Sequence, residues 1–179
     1  LIKIITIIFF LGFSNSFALI KVDITRGNLN PLPIAVSALS ADKKTNEELN
    51  KDIKIKNLGI EISKVVENNL KNSGLFNPLD SNAFLQKPDV AHLKPRFEDW
   101  SLIKAQALIT GKIIYENEKL RVEFRLWDVL AGKEILALAF TTAPNNWRRV
   151  GHIITDKVYK RLTGEEGYFD TRIIYVSEK

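Results

Sequence analysis

Few side chains in this sequence have the types and the spacing that chemistry requires. The 2 histidines, His92 and His152, lie far apart and do not form the His-x-x-x-His pattern of a helical zinc site. Paired carboxylates such as Glu165-Glu166 lie in polar connections, where a solvated surface is the usual arrangement. We therefore predict that the chain holds no catalytic residue, no metal ion and no cofactor.

Sequence motifs for catalysis or nucleotide binding are also absent. The chain contains no Gly-x-Ser-x-Gly elbow, no Gly-x-Gly-x-x-Gly and no phosphate-binding loop. Trp127-Asp128 has the form of a propeller-repeat dipeptide, but it occurs once and without a repeat around it. With 0 cysteines, a thiolate nucleophile, a disulfide and a cysteine zinc site are all excluded.

A basic helix near the end of the chain is the feature that favours a nucleic-acid partner. Its basic residues are Arg148, Arg149, Lys157, Lys160 and Arg161, and the aromatic side chains of Trp147 and Tyr159 could stack on bases. A basic helix face is more often simply solvated, so nucleic-acid binding stays an alternative hypothesis.

The elements that would position any site begin with two predicted strands. Apolar and polar residues alternate from Ile20 to Thr25, which predicts a half-buried strand. Arg26 to Pro33 is rich in Gly, Asn and Pro and is predicted to be a loop. Ile34 to Leu39 is predicted to be a central strand, and Ser40 to Asp52 a polar, solvated connection.

The first of two long helices is predicted by an apolar stripe from Leu58 to Leu70. We expect this helix to stop at Gly74, because glycine tolerates the left-handed conformation of a helix end. Leu75 to Asp80 is predicted to turn the chain, and residues 81–100 to form a short helix or an irregular connection.

The second long helix is predicted to start after Pro144, with Asn145 or Asn146 as its cap, and to end at Gly164. Its apolar stripe consists of Trp147, Val150, Ile154, Val158 and Leu162.

Three sequential strands are predicted between these helices, over Ala107–Tyr115, Leu120–Trp127 and Ile135–Thr141. Strict alternation in the middle strand fixes its register, because a slip by one residue would turn its charged side chains into the core. The predicted fold is α/β: a two-layer sandwich of a mixed four- to five-stranded sheet with two main helices. The hydrophobic fraction of 45% suits such a core, and the net charge of +5 gives a mildly basic surface.

Residues 1–18 have the layout of a secretory signal peptide. Lys3 precedes an apolar run from Ile4 to Phe13, and small side chains follow at Ser16 and Ala18. The run is shorter than the roughly 20 residues of a membrane span. We predict cleavage between Ala18 and Leu19, export to the bacterial periplasm, and no membrane-integral segment afterwards. The chain contains 0 methionines and begins with leucine, so we also expect it to be cut from a longer product.

Several short motifs occur together along the chain. They are Pro33–Val36, Asn72–Leu79, Leu126–Asp128, the aromatic-Arg pair Trp147-Arg148, His152, Asp156, Leu162–Gly164 and the run from Gly167 to Ile173. In combination they resemble the TolB family of periplasmic Tol–Pal proteins. This resemblance implies an amino-terminal α/β domain over residues 19–163. Residues 164–179 would be a linker and the first strand of a β-propeller whose remaining blades lie beyond this chain. We expect residues 168–179 to be exposed or to lie on the α/β domain.

The resemblance also implies a function as a scaffold and not as an enzyme. Members of this family link the inner-membrane protein TolA to the outer-membrane lipoprotein Pal, and support envelope integrity and cell division. Pal would engage the missing propeller. TolA would engage the mature amino-terminal segment, whose residues are Ile20, Lys21, Val22, Asp23, Ile24, Thr25, Arg26 and Gly27. An extended segment of this kind can add a strand to the edge of a partner sheet.

Two alternatives from other classes stay open. The chain could be the accessory domain of a propeller-containing peptidase, which a nucleophile motif in downstream sequence would reveal. It could also be a nucleic-acid-binding α/β domain, which salt-sensitive retention on heparin would favour.

Overall fold

A five-stranded mixed sheet forms the centre of the molecule. The computed structural model describes residues 20–22 and 30–171. The strands lie in the order β2-β1-β3-β4-β5. Their bounds are β1 Leu32–Val36, β2 Phe76–Pro78, β3 Ala107–Glu116, β4 Lys119–Asp128 and β5 Lys133–Thr142. β1 runs parallel to β2 and β3, and β3, β4 and β5 are antiparallel. The predicted α/β class with a mixed sheet is confirmed.

Helices cover both faces of this sheet to different extents. They are α1 Lys43–Ile53, α2 Leu58–Asn72, α3 Pro88–Leu93, α4 Phe97–Leu102 and α5 Trp147–Thr163. The main core joins α1, α2 and α5 to one face through side chains such as Leu49, Ile62 and Ile154. A smaller cluster around Trp100 joins α3 and α4 to Ala35 and Leu108. These two strand residues point away from the main core because side chains alternate between the faces of a sheet.

Both predicted long helices are confirmed, as is the glycine at the end of each. Gly74 has φ +72° and Gly164 has φ +88°, a conformation that costs glycine little. Asn146 stands at the expected cap position of α5, but its side chain makes no capping hydrogen bond. A short 3₁₀ turn, Pro144–Asn146, leads into the helix, and the Asn146 amide donates to the Thr142 hydroxyl at 3.1 Å. This turn supplies the first bonds of the helix, so the side chain is not needed as a cap.

The predicted meander of three antiparallel strands is confirmed together with its register. Leu120, Val122, Phe124 and Leu126 are all buried in the main core. On the opposite face, Lys112 of β3 lies 3.3 Å from Glu123 of β4. The turn between these strands holds Asn117 and Glu118 at φ +51° and +59°, which is the twist that a two-residue hairpin requires.

The polar connection predicted over Ser40–Asp52 is wrong, because most of it is helix α1. The Thr45 N–H donates to the Asp42 carboxylate at 2.7 Å, which caps the helix. The carboxylate is stabilised by this bond, which lowers the pKa of Asp42. Only Thr45 and Leu49 of α1 are buried. One large apolar side chain in a charged background is too weak a periodic signal to predict a helix.

Three smaller corrections concern strands. The turn predicted over Leu75–Asp80 contains β2, a short edge strand that pairs Phe76 with Leu32. The central strand predicted over Ile34–Leu39 begins earlier, at Leu32, and ends at Val36. The strand predicted over Ile20–Thr25 is wrong for residues 20–22, which belong to no strand, and the rest of it lies outside the described residues.

The predicted signal peptide over residues 1–18, its Ala18-Leu19 cleavage site and the predicted strand from Arg172 onward lie outside the described residues. Within the described residues, the helices are too short or too polar to cross a membrane.

Candidate partner-binding site at the amino-terminal segment

The described part of the candidate site is Ile20, Lys21 and Val22. The Val22 N–H donates to the carbonyl of Leu162, near the end of α5, at 2.8 Å. The Val22 side chain is 9% exposed and belongs to the main core, and Lys21 is exposed. Asp23 to Gly27 lie outside the described residues. The segment is therefore held by the buried Val22 side chain, by Ile20 packed against the main core, and by single hydrogen bonds from its backbone N–H groups.

A buried carboxylate makes the second attachment. The Ile20 N–H donates to Oδ2 of Asp128 at 3.1 Å, between residues 108 positions apart in the sequence. Oδ1 of Asp128 accepts the Ala131 N–H at 2.9 Å, which fixes the turn between β4 and β5. Asp128 is only 2% exposed, so these two donors replace the water that a carboxylate otherwise binds. One side chain thus connects the amino-terminal segment to the sheet.

The chain that leaves α5 is held by a second carboxylate. Asp156 accepts the N–H of Phe169 at 2.8 Å and the N–H of Asp170 at 3.1 Å. Arg149 binds the Asp170 carboxylate through two nitrogens at 3.0 Å each. A Cβ at Gly167 would overlap the backbone and carboxylate of Asp156, so this turn requires glycine. The run after α5 therefore has one defined path across the helix.

Aromatic packing also holds the residues that follow α5. The rings of Tyr168 and Phe169 are stacked with centroids 4.5 Å apart, and both meet Tyr159 of α5 edge to face. Phe169 packs on the main core, and Tyr168 is 53% exposed. Burial raises the pKa of the Tyr159 hydroxyl. The described residues that follow α5 thus lie on the α/β domain. The division at 163/164 into a domain and a propeller strand stays a prediction.

The two histidines lie on different helices and share no partner. His152 of α5 meets the Asn69 amide of α2 at 2.9 Å, and Asn69 also donates to Thr155 at 3.2 Å, so His152 takes part in the contact between α2 and α5. His92 lies on α3, and among the described residues its buried Nδ1 has no hydrogen-bond partner. Its pKa is lowered, first by burial and then by the positive charges of Lys112 and Arg125.

Most basic side chains of α5 are engaged within the chain. Arg148 stacks on the Trp147 ring at 4.6 Å, and Arg149 binds Asp170. Arg161 donates to the Ile135 carbonyl at 2.8 Å. Lys160 pairs with Glu166, a contact that lowers the pKa of that glutamate. These contacts account for much of the basic character that favours nucleic acid in the sequence.

Within residues 20–22 and 30–171, no three His, Cys, Asp or Glu side chains are grouped so that they could hold a metal ion. The arrangement offers backbone groups and exposed side chains at two chain ends, which suits docking of another protein.

Sequence reasoning missed Asp128 and Asp156 as structural residues. In the sequence, Asp128 stands out as half of a repeat dipeptide, and Asp156 is one polar residue of the second long helix. Both belong to motifs that carry the family resemblance, which was the available signal. The other partner of each bond is distant in sequence or lies in an irregular turn, so spacing alone could not reveal it.

These features define a class of protein. It is an α/β domain whose amino-terminal segment is bonded to the core and whose chain follows one defined path after α5. The TolB amino-terminal domain family matches residues 20–135. The chain is 73% identical over all 179 residues to the Tol-Pal system protein TolB of Pelagibacter ubique strain HTCC1062, and it spans 40% of that relative's length. The chain belongs to the TolB family, of which it carries the amino-terminal domain.

A solved structure agrees with this fold. The crystal structure of TolB from Acinetobacter baumannii superposes with a TM-score of 0.61, over 78% of this chain and 30% of that chain. The sequence identity is 21%, so this likeness shows the fold alone.

Proposed function

We propose that this chain is part of a periplasmic scaffold protein of the Tol–Pal system, without catalytic activity. Its 73% identity to a Tol-Pal system protein over the whole chain is the observation that carries the proposal. The scaffold would link an inner-membrane TolA-type protein to an outer-membrane Pal-type lipoprotein, and so support envelope integrity and cell division. A predicted signal peptide over residues 1–18 would deliver it to the periplasm.

The segment from Ile20 to Gly27 is the proposed TolA-type contact. Two hydrogen bonds from backbone N–H groups, the buried Val22 and the partly buried Ile20 hold its described part, so local opening costs less than global unfolding. Once released, its alternating apolar residues would add a strand to the edge of a partner sheet. The Pal-type contact is proposed for the part of the longer protein that this chain does not include.

A binding assay with the carboxyl-terminal domain of TolA tests the segment. The mature chain and an Ile24→Asp variant are passed over the immobilised domain, and unfolding of both proteins is followed by circular dichroism. We expect the variant to bind at least about tenfold more weakly, because a charge replaces an apolar side chain in the added strand. The melting temperatures should agree within a few degrees.

A charge change away from the segment provides the control. Lys71→Glu alters an exposed residue on the last turn of α2 and should leave retention unchanged. Equal retention of wild type and Ile24→Asp would rule out the segment as the contact. Loss of retention in the Lys71→Glu variant would mean that the partner recognises the overall charge of the domain and not this segment.

A further inference from the structure

A basic groove lies beside the amino-terminal segment and shares Ile20, Lys160 and Arg161 with contacts described above. It has a volume of about 480 Å³ and is lined by Ile20, Lys21, Leu136, Lys157, Lys160, Arg161 and Gly164. Ile20 and Leu136 give it an apolar floor, and the remaining charged lining is entirely cationic. A groove of this kind suits a ligand that is apolar on one side and acidic on the other.

The charge of the groove is only partly neutralised by the domain itself. Lys160 pairs with Glu166, and Arg161 donates to the Ile135 carbonyl, which carries no charge. Within the described residues no ion pair engages Lys21, and Lys157 makes no close ion pair but adds to the lowering of the pKa of Glu166. An uncompensated group of like charges raises the local concentration of anions and favours partners of opposite charge.

The groove continues into a free strand edge. Leu136 belongs to β5, the outermost strand of the sheet, and in the described part of the chain no strand lies beyond it. β5 is 10 residues long and is uncharged from Ile135 to its end at Thr142. A long exposed edge presents unpaired N–H and C=O groups to an incoming strand. Arg161 occupies the carbonyl of Ile135, so free pairing positions begin after the groove.

The side chains of β5 are suited to the addition of a strand along its edge. Pairing with Arg125 and Glu123 places Ala137 and Ala139 on the face away from the main core, where their small side chains leave room beside them. Leu138 lies on the other face and is 36% exposed. An added strand could therefore place acidic side chains toward the cations of α5 and apolar ones beside the alanines.

We propose that this groove and the β5 edge bind an extended acidic segment of a partner protein, as a second interaction surface that adjoins the Ile20–Gly27 contact and shares Ile20 and Lys21 with it while that segment is seated. The cations would select acidic side chains on the face that α5 covers, apolar side chains would lie beside the alanines on the other face, and the exposed edge of β5 would pair with the backbone. This proposal does not depend on the Tol–Pal assignment, since it uses only the charge and the topology of this domain.

Fluorescence anisotropy with a designed peptide tests the proposal. The probe is a labelled ten-residue peptide of alternating Val and Glu, capped at both ends, titrated with the protein at low salt. We expect saturable binding that weakens as salt is added, because exposed charges are screened. A peptide with Lys in place of Glu should not bind. A peptide with Pro in place of Val keeps the charge but lacks the N–H group at every second position and is disfavoured in a paired strand, so it should bind at least about tenfold more weakly.

Two variants with the same change of net charge locate the site. Lys157→Glu reverses a cation of the groove, and Lys119→Glu reverses one at the distant β3–β4 turn. We expect Lys157→Glu to weaken binding about tenfold and Lys119→Glu to change it less than about twofold. Backbone amides within Ala137–Thr142 should gain protection from hydrogen exchange in the complex.

Three results would each overturn the proposal. The first is equal binding of the Glu and Lys peptides, and the second is an equal effect of the two lysine variants. The third is binding of the proline peptide as tightly as the valine peptide, with no new protection in β5.

Discussion

Three carboxylates in this domain accept hydrogen bonds from backbone N–H groups. Asp42 accepts the Thr45 N–H at the start of α1, Asp128 accepts the N–H groups of Ile20 and Ala131, and Asp156 accepts those of two residues after α5. Hydrogen bonds from neutral N–H groups to an ionised acceptor are stronger than those between neutral groups. At the scale of single residues, the acidic side chains thus define how segments begin and end.

His92 gives the domain a pH-dependent stability. It is 7% exposed, and its pKa is lowered by burial and by the nearby cations Lys112 and Arg125, with Glu123 acting in the opposite direction. The unfolded chain therefore takes up a proton at this position more readily than the folded chain. We predict that this contribution to the free energy of unfolding is complete above about pH 6.5 and is lost as the pH falls below that value.

Urea denaturation at pH 7.5 and pH 5.5 checks this prediction in wild type and in a His92→Leu variant. Leucine is apolar and similar in size to histidine but cannot titrate. The free energy of unfolding of the variant should therefore fall less between pH 7.5 and pH 5.5. His152 is present in both proteins and cancels in the comparison. The same pH dependence in both proteins would show that His92 does not sense pH in this fold.

At the scale of elements, α2 and α5 approach unusually closely. A Cβ at Gly151 would lie 2.7 Å from Cγ1 and 2.9 Å from Cβ of Val65. We predict that Gly151→Ala lowers the free energy of unfolding by about 1–2 kcal/mol, because overpacking costs about 1–3 kcal/mol and the better helix propensity of alanine returns up to about 1 kcal/mol. Thermal or urea denaturation measures this difference.

A second substitution separates this clash from other causes. Val65→Ala removes Cγ1, the nearest atom that the new methyl group would meet, but keeps Cβ, so it relieves part of the clash and the double variant should be more stable than the sum of the two single effects predicts. Strictly additive losses would contradict a steric origin.

Elements with strong internal periodicity were predictable from the sequence. α2, α5 and the strands β3 to β5 each repeat apolar residues over three or more turns or pleats, and the structure confirms them. α1 and β2 were not predictable, because α1 buries a single large apolar residue and β2 has 3 residues that end in proline. β2 exists only because β1 lies beside it, which no local pattern reports.

The candidate site was predictable only in part, because contacts between distant parts of the chain leave no local pattern in the sequence. The alternation of Ile20, Val22 and Ile24 marked the segment but indicated a strand, whereas residues 20–22 are held by isolated bonds to Asp128 and Leu162. These contacts connect positions that are far apart in the chain. The role of Ile20 to Gly27 in partner binding stays a prediction.

At the scale of the whole molecule, both ends of the described chain meet α5. The amino-terminal segment bonds to its last turn at Leu162, and the carboxyl-terminal exit bonds to its middle at Asp156. Asp128 is the link between the amino-terminal segment and the sheet. The availability of the segment to a partner should therefore depend on this one carboxylate.

We predict that Asp128→Asn releases the segment while the core stays folded. The asparagine amide has one oxygen that can accept a hydrogen bond, whereas the carboxylate has two. Its NH₂ group cannot accept a hydrogen bond from a backbone N–H. Hydrogen exchange at the Val22 amide should become about 10- to 100-fold faster, which corresponds to the loss of one charge-assisted hydrogen bond. Amides in the middle of β3 should exchange as in wild type.

The same variant should bind a TolA-type partner more tightly, because more molecules present a released segment. Asp42→Asn is the matched control, since it weakens another carboxylate cap but has no contact with Ile20 or Val22. It should leave both the Val22 exchange rate and partner binding unchanged. If Asp128→Asn accelerates exchange at Val22 but weakens binding, the partner recognises the seated segment, and release is not the step that exposes the site.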